Sequence, residues 1–150
     1  MKNSDNIQYE LHHFADAFNL AFGTASYVRM LSADNEIHCS LLMARARLAP
    51  MKSVTIPRLE LMAAVLAVKV DHMLKRELDI EPMKTVLWTD STTVLQCIYC
   101  SEHRRFHTFV ANRVAEIRDA TSADQWQYVP TKENPTDDAS RGLSVGEFVA

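Results

Sequence analysis

No run of apolar residues long enough to cross a bilayer as a helix, about 20 residues, occurs in the chain. A membrane-spanning helix is therefore not expected. Cysteine is scarce and odd in number: Cys39, Cys97 and Cys100. That excludes a disulfide framework, and it points to a reducing, intracellular setting. The opening residues, Met1 to Glu10, are polar, so no secretory signal is expected. An excess of positive charge is also missing: 16 Lys and Arg stand against 19 Asp and Glu, for a net charge of −3. Net charge thus neither suggests nor excludes a polyanionic partner. Internal repeats, low-complexity segments and a second domain are absent from the pattern.

What is present suits one ordinary α/β domain. Hydrophobic residues make up 47% of 150 residues, enough for a core without staples. Residues 1–8 read as a polar lead-in, 9–142 as the domain and 143–150 as a tail. Leu11–Ala17, Ala21–Met30 and Ile37–Ala46 read as strands, with Ser32–Asn35 as a turn. Ile37, Cys39, Leu41 and Met43 are expected to share one face of the third strand. Pro57 suits the first turn of a helix reaching Leu78, with Leu59, Met62, Leu66, Val70 and Met73 on its apolar face. Thr85–Trp88 reads as a buried strand, 92–100 as a short helix and 105–120 as a longer one carrying Phe106, Phe109, Val110, Val114 and Ile117. Trp126–Val129 reads as the last strand. Asn134, as N-cap, and Pro135 open a final helix. The order β-β-β-α-β-α-α-β-α predicts a mixed five-stranded sheet: three antiparallel strands, then parallel crossovers, with helices packed on it.

Four acids stand at unusual places. Asp16 lies at the end of an apolar strand, where a charge needs a compensating partner. Glu60 is expected in the first turn of the long helix, and Ala63, Ala64 and Ala67 beside it would let that helix lie close to the sheet. Asp90 closes the Thr85–Trp88 strand, and Asp137 falls in the first turn of the last helix. Clustered carboxylates repel one another unless a cation neutralises them, and oxygen ligands suit Mg²⁺. Acids are common enough that, on spacing alone, solvated decoration is the stronger account and the metal reading about one chance in ten.

Five segments carry more information together than apart. They are Phe14-Ala-Asp-Ala17 with Gly23, Ile56-Pro-Arg-Leu-Glu-Leu61, Leu87-Trp-Thr-Asp-Ser91, Phe109-Val-Ala-Asn-Arg-Val114, and Glu133-Asn-Pro-Thr-Asp137 with Ala139-Ser-Arg-Gly142. In this order the chain resembles the ribonuclease H region of Pao/BEL-type long-terminal-repeat retrotransposons, over roughly residues 10–142. The resemblance implies a ribonuclease H-like fold and hydrolysis of the RNA strand of RNA–DNA hybrids during reverse transcription. It implies two ions, Mg²⁺ or Mn²⁺, held by Asp16, Glu60, Asp90 and Asp137, with Asp138 as the alternative to Asp137. It also implies a reverse transcriptase domain of the same polyprotein as partner, and a cytoplasmic or nuclear location. Phe18, Thr24 and Thr131 depart from the family pattern, and Pro130–Pro135 lacks the histidine that many cellular ribonucleases H carry there.

Other groups divide between chemistry and packing. Cys97, Cys100, His103 and His107 have a zinc-like spacing, but strung along one helix they could not converge on an ion. His12 and His13 precede Asp16 and are expected to pack. Trp88 and Trp126 are expected in the core. Arg58, Ser91, Arg113, Lys132 and Arg141 are candidate phosphate contacts. So are Arg45, Arg47, Lys52, Arg104 and Arg105, with a solvated face as the equal alternative. Two functions follow: an active hybrid-specific endonuclease, or a ribonuclease H-like module that binds or tethers without catalysis. Retention of all four acids favours the enzyme.

Overall fold

The computed structural model describes residues 7–18, 20–49, 54–100 and 108–135. Three strands come first: β1 (Gln8–Phe18), β2 (Ala21–Leu31) and β3 (Ile37–Leu48). They form the expected antiparallel meander, with Gln8 opposite Leu31 and Ala21 opposite Leu48. Strand β1 starts earlier than its apolar run suggests, because Gln8, Tyr9 and Glu10 still pair with β2. Gln8, assigned to the lead-in on polarity, therefore belongs to the sheet. The β2–β3 turn places Asn35 at φ 63°, a left-handed conformation that asparagine tolerates.

The one-faced reading of β3 fails at a bulge. Met43 pairs with Ser26 and Leu41 with Tyr27, so Leu42 is an extra residue on β3. The extra residue shifts the alternation. Leu42 and Met43 both pack on the core, whereas Ile37 and Leu41 are exposed. Gly23, opposite Asp16 on β1, lies tight against β3: a Cβ there would sit 2.8 Å from the Arg45 carbonyl oxygen. Gly23→Ala is therefore expected to push β3 outward and lower stability by about 1–3 kcal/mol, read by urea melting. An unchanged midpoint would show that the edge strand gives way freely. Thr24 beside it buries a hydroxyl with no hydrogen-bond partner among the described residues, at a position where the resemblance has a small alanine.

Helix α1 (Ile56–Leu78) crosses back over this meander. Thr55 caps it, accepting from Arg58 N at 3.4 Å, and Pro57 sits in the first turn as expected. The helix ends at Asp79 in the left-handed region, φ 51°. Leu59, Leu66 and Val70 are buried and Met62 and Met73 half-buried, so the apolar stripe is the one the spacing predicts. Ala63, Ala64 and Ala67 are fully buried, which lets the helix lie against β1 and β2. Where they meet, the His13 ring is enclosed between Ser26 Oγ at 2.7 Å and Asp71 Oδ1 at 2.8 Å. Nε2 donates to the Asp71 carboxylate, and Nδ1 shares a hydrogen with the Ser26 hydroxyl.

Strand β4 (Lys84–Thr89) then pairs parallel to β1, and β5 (Trp126–Tyr128) parallel to β4, for a sheet order β3-β2-β1-β4-β5. Between them run α2 (Thr92–Tyr99) and α3 (Thr108–Ala120). Ala15, Phe22, Leu87 and Trp126 from the sheet share one core with α1, with Val94, Leu95 and Ile98 of α2, and with Val114 and Ile117 of α3. All three helices thus pack on one face of the sheet. On the other face Phe14, Ala25, Tyr27 and Val129 form a smaller cluster, against which Trp88 packs. Trp88 stacks on Phe14 and donates through Nε1 to His12 Nδ1 at 3.0 Å. Burial holds the His12 ring below the usual histidine range, despite Glu10 at its other nitrogen, and so preserves that acceptor. Both histidines and both tryptophans therefore serve packing. Cys97 is half-buried within α2, and Cys100 follows its end. His103, His107, Phe106, Lys52, Arg104 and Arg105 lie outside the described residues, as does the chain from 136 onward.

Candidate active site

The register of the sheet places the acids. Ala15 pairs with Thr89 in the parallel β1–β4 ladder, and Asp16 and Asp90 are the next residue on each. Both carboxylates therefore leave neighbouring strands at the same end. Asp16 is buried, and its Oδ1 accepts from Ala17 N at 2.8 Å, which orients the side chain. Glu60 approaches from α1. It lies just past the first turn rather than in it, because the helix begins one residue before Pro57.

Glu60 and Asp90 are close enough to sense each other. Burial raises the Glu60 carboxyl above its usual range; a hydrogen bond from Ser91 opposes that, and the like charge of Asp90 adds to it. Such a half-buried pair is strained electrostatically until a cation neutralises it. Among the described residues no three His, Cys, Asp or Glu side chains converge on one point as ligands. The register thus sets Asp16 and Asp90 side by side on neighbouring strands, and Glu60 on α1 senses the Asp90 charge. Asp137, Asp138 and Arg141 lie outside the described residues. The donor set fits a hard divalent cation: every candidate is a carboxylate oxygen, and the Glu60–Asp90 repulsion is relieved by positive charge.

Two polar residues tie the site together in ways that sequence reasoning missed. Ser91, expected as a phosphate contact, is only 4% exposed. Its hydroxyl accepts from Val94 N at 3.1 Å as the N-cap of α2. It is committed inside the fold and is not a surface contact. Asn134, expected as a helix N-cap, donates from Nδ2 to the Ala15 carbonyl at 3.0 Å while almost fully buried. That bond fixes the chain before residue 135 against the strand end that bears Asp16. No spacing in the sequence signals either bond.

Cationic candidates lie beside the acids. Phe109, read as a core residue, is half-buried between two guanidinium groups: Arg58 at 4.9 Å and Arg113 at 4.1 Å from its ring centroid. Lys132 is exposed on a short 3-10 turn, residues 131–133. A cleft of about 980 Å³ opens around His12, Lys84, Trp88 and Gln127, and none of Asp16, Glu60 and Asp90 lines it.

This arrangement of sheet and helices is a ribonuclease H-like fold. It is similar to the N-terminal ribonuclease H domain of Rv2228c from Mycobacterium tuberculosis (TM-score 0.52, 14% identity, 87% of this chain and 94% of that one). It is similar to RNase H1 from the halophilic archaeon Halobacterium salinarum NRC-1 (TM-score 0.52, 14% identity, 88% and 92%). It is also similar to LC11-RNase H1, solved in complex with an RNA/DNA hybrid (TM-score 0.56, 11% identity, 95% and 100%). Residues 1–91 match the family described as "Pao retrotransposon-like RNaseH-like domain", and the chain belongs to that family. No curated protein matches the sequence.

Proposed function

We propose that this domain is a ribonuclease H that hydrolyses the RNA strand of RNA–DNA hybrids with the help of divalent cations. The observation that carries the reading is the parallel β1–β4 register, which sets Asp16 and Asp90 at the same strand end, inside a family of this kind. Asp16, Glu60, Asp90 and Asp137 would hold two ions, Mg²⁺ or Mn²⁺. When bound, such ions supply a water of lowered pKa and neutralise charge on the departing 3′ oxygen.

The chain's own residues then have separate tasks. Asp16, oriented by the Ala17 amide, presents a fixed carboxylate at the strand end. Asp90 and Glu60 would offer negative charge that a bound cation neutralises. Arg58 and Arg113, both placed over the Phe109 ring, carry guanidinium N–H groups that would meet backbone phosphates and position the duplex without reading its sequence. Lys132 and Arg141 would extend that contact. Within a retroelement polyprotein the neighbouring reverse transcriptase would supply further phosphate contacts and deliver the hybrid, in a cytoplasmic particle or in the nucleus. LC11-RNase H1 is a ribonuclease H of this fold bound to such a hybrid.

The test is strand-resolved cleavage on three duplexes of one sequence: RNA–DNA, RNA–RNA and DNA–DNA. Only the RNA of the hybrid is expected to be cut; a chelator stops the reaction and added Mn²⁺ restores it. Equal cutting of all three, or cutting that survives the chelator, overturns the proposal.

A further inference from the structure

We propose that a cationic recess between β3, α1 and α3 is a further phosphate subsite, taking a backbone phosphate of the hybrid outside the segment that is cut. The proposal rests on the reading of the chain as a hybrid-cleaving enzyme. The recess holds about 410 Å³. Arg47 of β3, Lys69 of α1 and Arg113 of α3 line it, with Glu116 among them and the buried side chains of Phe22 and Leu66 in its wall. Three positive charges from three separate elements thus stand against one negative charge. Lys69 lies 3.7 Å from Glu116, and both are well exposed, so that pair contributes little to holding the recess together. Among the described residues it is the only ion pair in the recess, and Arg47 and Arg113 meet no carboxylate.

The register fixes where the recess lies. Arg47 is opposite Phe22, and Phe22 is opposite Ala17, the residue after Asp16. Neighbouring strands lie about 4.8 Å apart, so the Arg47 backbone is roughly 10 Å from that of Ala17, at the same end of the sheet. Arg58 and Arg113 share the Phe109 ring. The cations therefore form a line from the start of α1 to the edge strand. Arg45 and Arg47 look alike in the sequence, but the structure separates them: Arg45 turns its Nη2 to Met73 Sδ at 3.8 Å and does not line the recess. A cleft of one charge sign with apolar walls concentrates counter-ions. An arginine fork matches the oxygens of a phosphate, the one anionic group that a hybrid offers.

Hybrid binding is measured by fluorescence anisotropy in chelator over a series of salt concentrations. The unchanged chain is compared with Arg47→Gln and with Lys84→Gln, which removes the same charge from the separate, larger cleft. Arg47→Gln is expected to bind about tenfold more weakly at low salt and to lower the slope of log affinity against log salt by about one. Its thermal midpoint should not move, because Arg47 is exposed. Lys84→Gln should bind like the unchanged chain. Arg47→Gln with unaltered affinity and slope overturns the subsite while the hydrolase reading stands, and so does an equal loss in Lys84→Gln. An unchanged chain that binds no hybrid brings down the hydrolase reading, and this proposal with it.

Discussion

Asp90→Asn is expected to lower hybrid cleavage by about a thousandfold, the scale seen when a group that stabilises transition-state charge is removed, while leaving the fold intact. The amide keeps the shape of the side chain but not its charge. Asp90 stands past the end of β4, where it supplies no packing that asparagine would lose. Its like charge is one cause of the raised Glu60 carboxyl, so the variant also frees Glu60 from that repulsion. The thermal midpoint should stay where it is or rise slightly. Steady-state cleavage and a thermal melt on the same preparation check both halves. A large loss of midpoint would instead mark Asp90 as a structural residue.

Asp71→Asn is expected to do the reverse: lower stability by about 3 kcal/mol through the core. Asp71 accepts from the fully buried His13 at 2.8 Å and from Lys75 at 3.0 Å. Removing the charge leaves the enclosed ring facing an amide with no anion. Burial alone would push the Asp71 carboxyl up, but its bonds and charge interactions with His13 and Lys75 outweigh burial and hold it below the usual range. A carboxyl lowered on folding contributes stability that is fully present above its unfolded value and is lost as pH falls through its folded value. Urea midpoints of the unchanged chain should therefore fall on acidification below about pH 4, and Asp71→Asn should flatten that dependence. A variant as stable as the unchanged chain, with the same acid slope, would remove the His13–Asp71 pair from the account.

The general layout was legible because the chain's periodicities are clean. The alternation in the first strands, the three-and-four spacing of Leu59 to Met73, and Pro57 at a helix start each report a local preference that the packing then uses. Asp16 and Asp90 were legible for a related reason: a carboxylate at the end of an apolar strand needs a partner to be there at all. What stayed hidden depends on tertiary contact. His13 meets Asp71 across 58 residues, and neither neighbourhood hints at the other. The bulge at Leu42 is a single extra residue that an alternating pattern cannot flag. Phe109 has the spacing of a core residue and became a platform for two arginines because α3 brings it beside the start of α1. Ser91 follows an acidic residue in a turn, which is how an exposed contact looks. Its burial follows only from α2 starting there, with Ser91 as the cap.

The measurement that tests the central claim most directly is cleavage of an end-labelled RNA–DNA hybrid with Mg²⁺ or Mn²⁺, run with the unchanged chain beside Asp90→Asn. Metal-dependent cutting of the RNA strand alone, lost in the variant, is the predicted result. A folded chain that binds the hybrid and leaves both strands whole would contradict the account and favour a ribonuclease H-like module that binds without cutting.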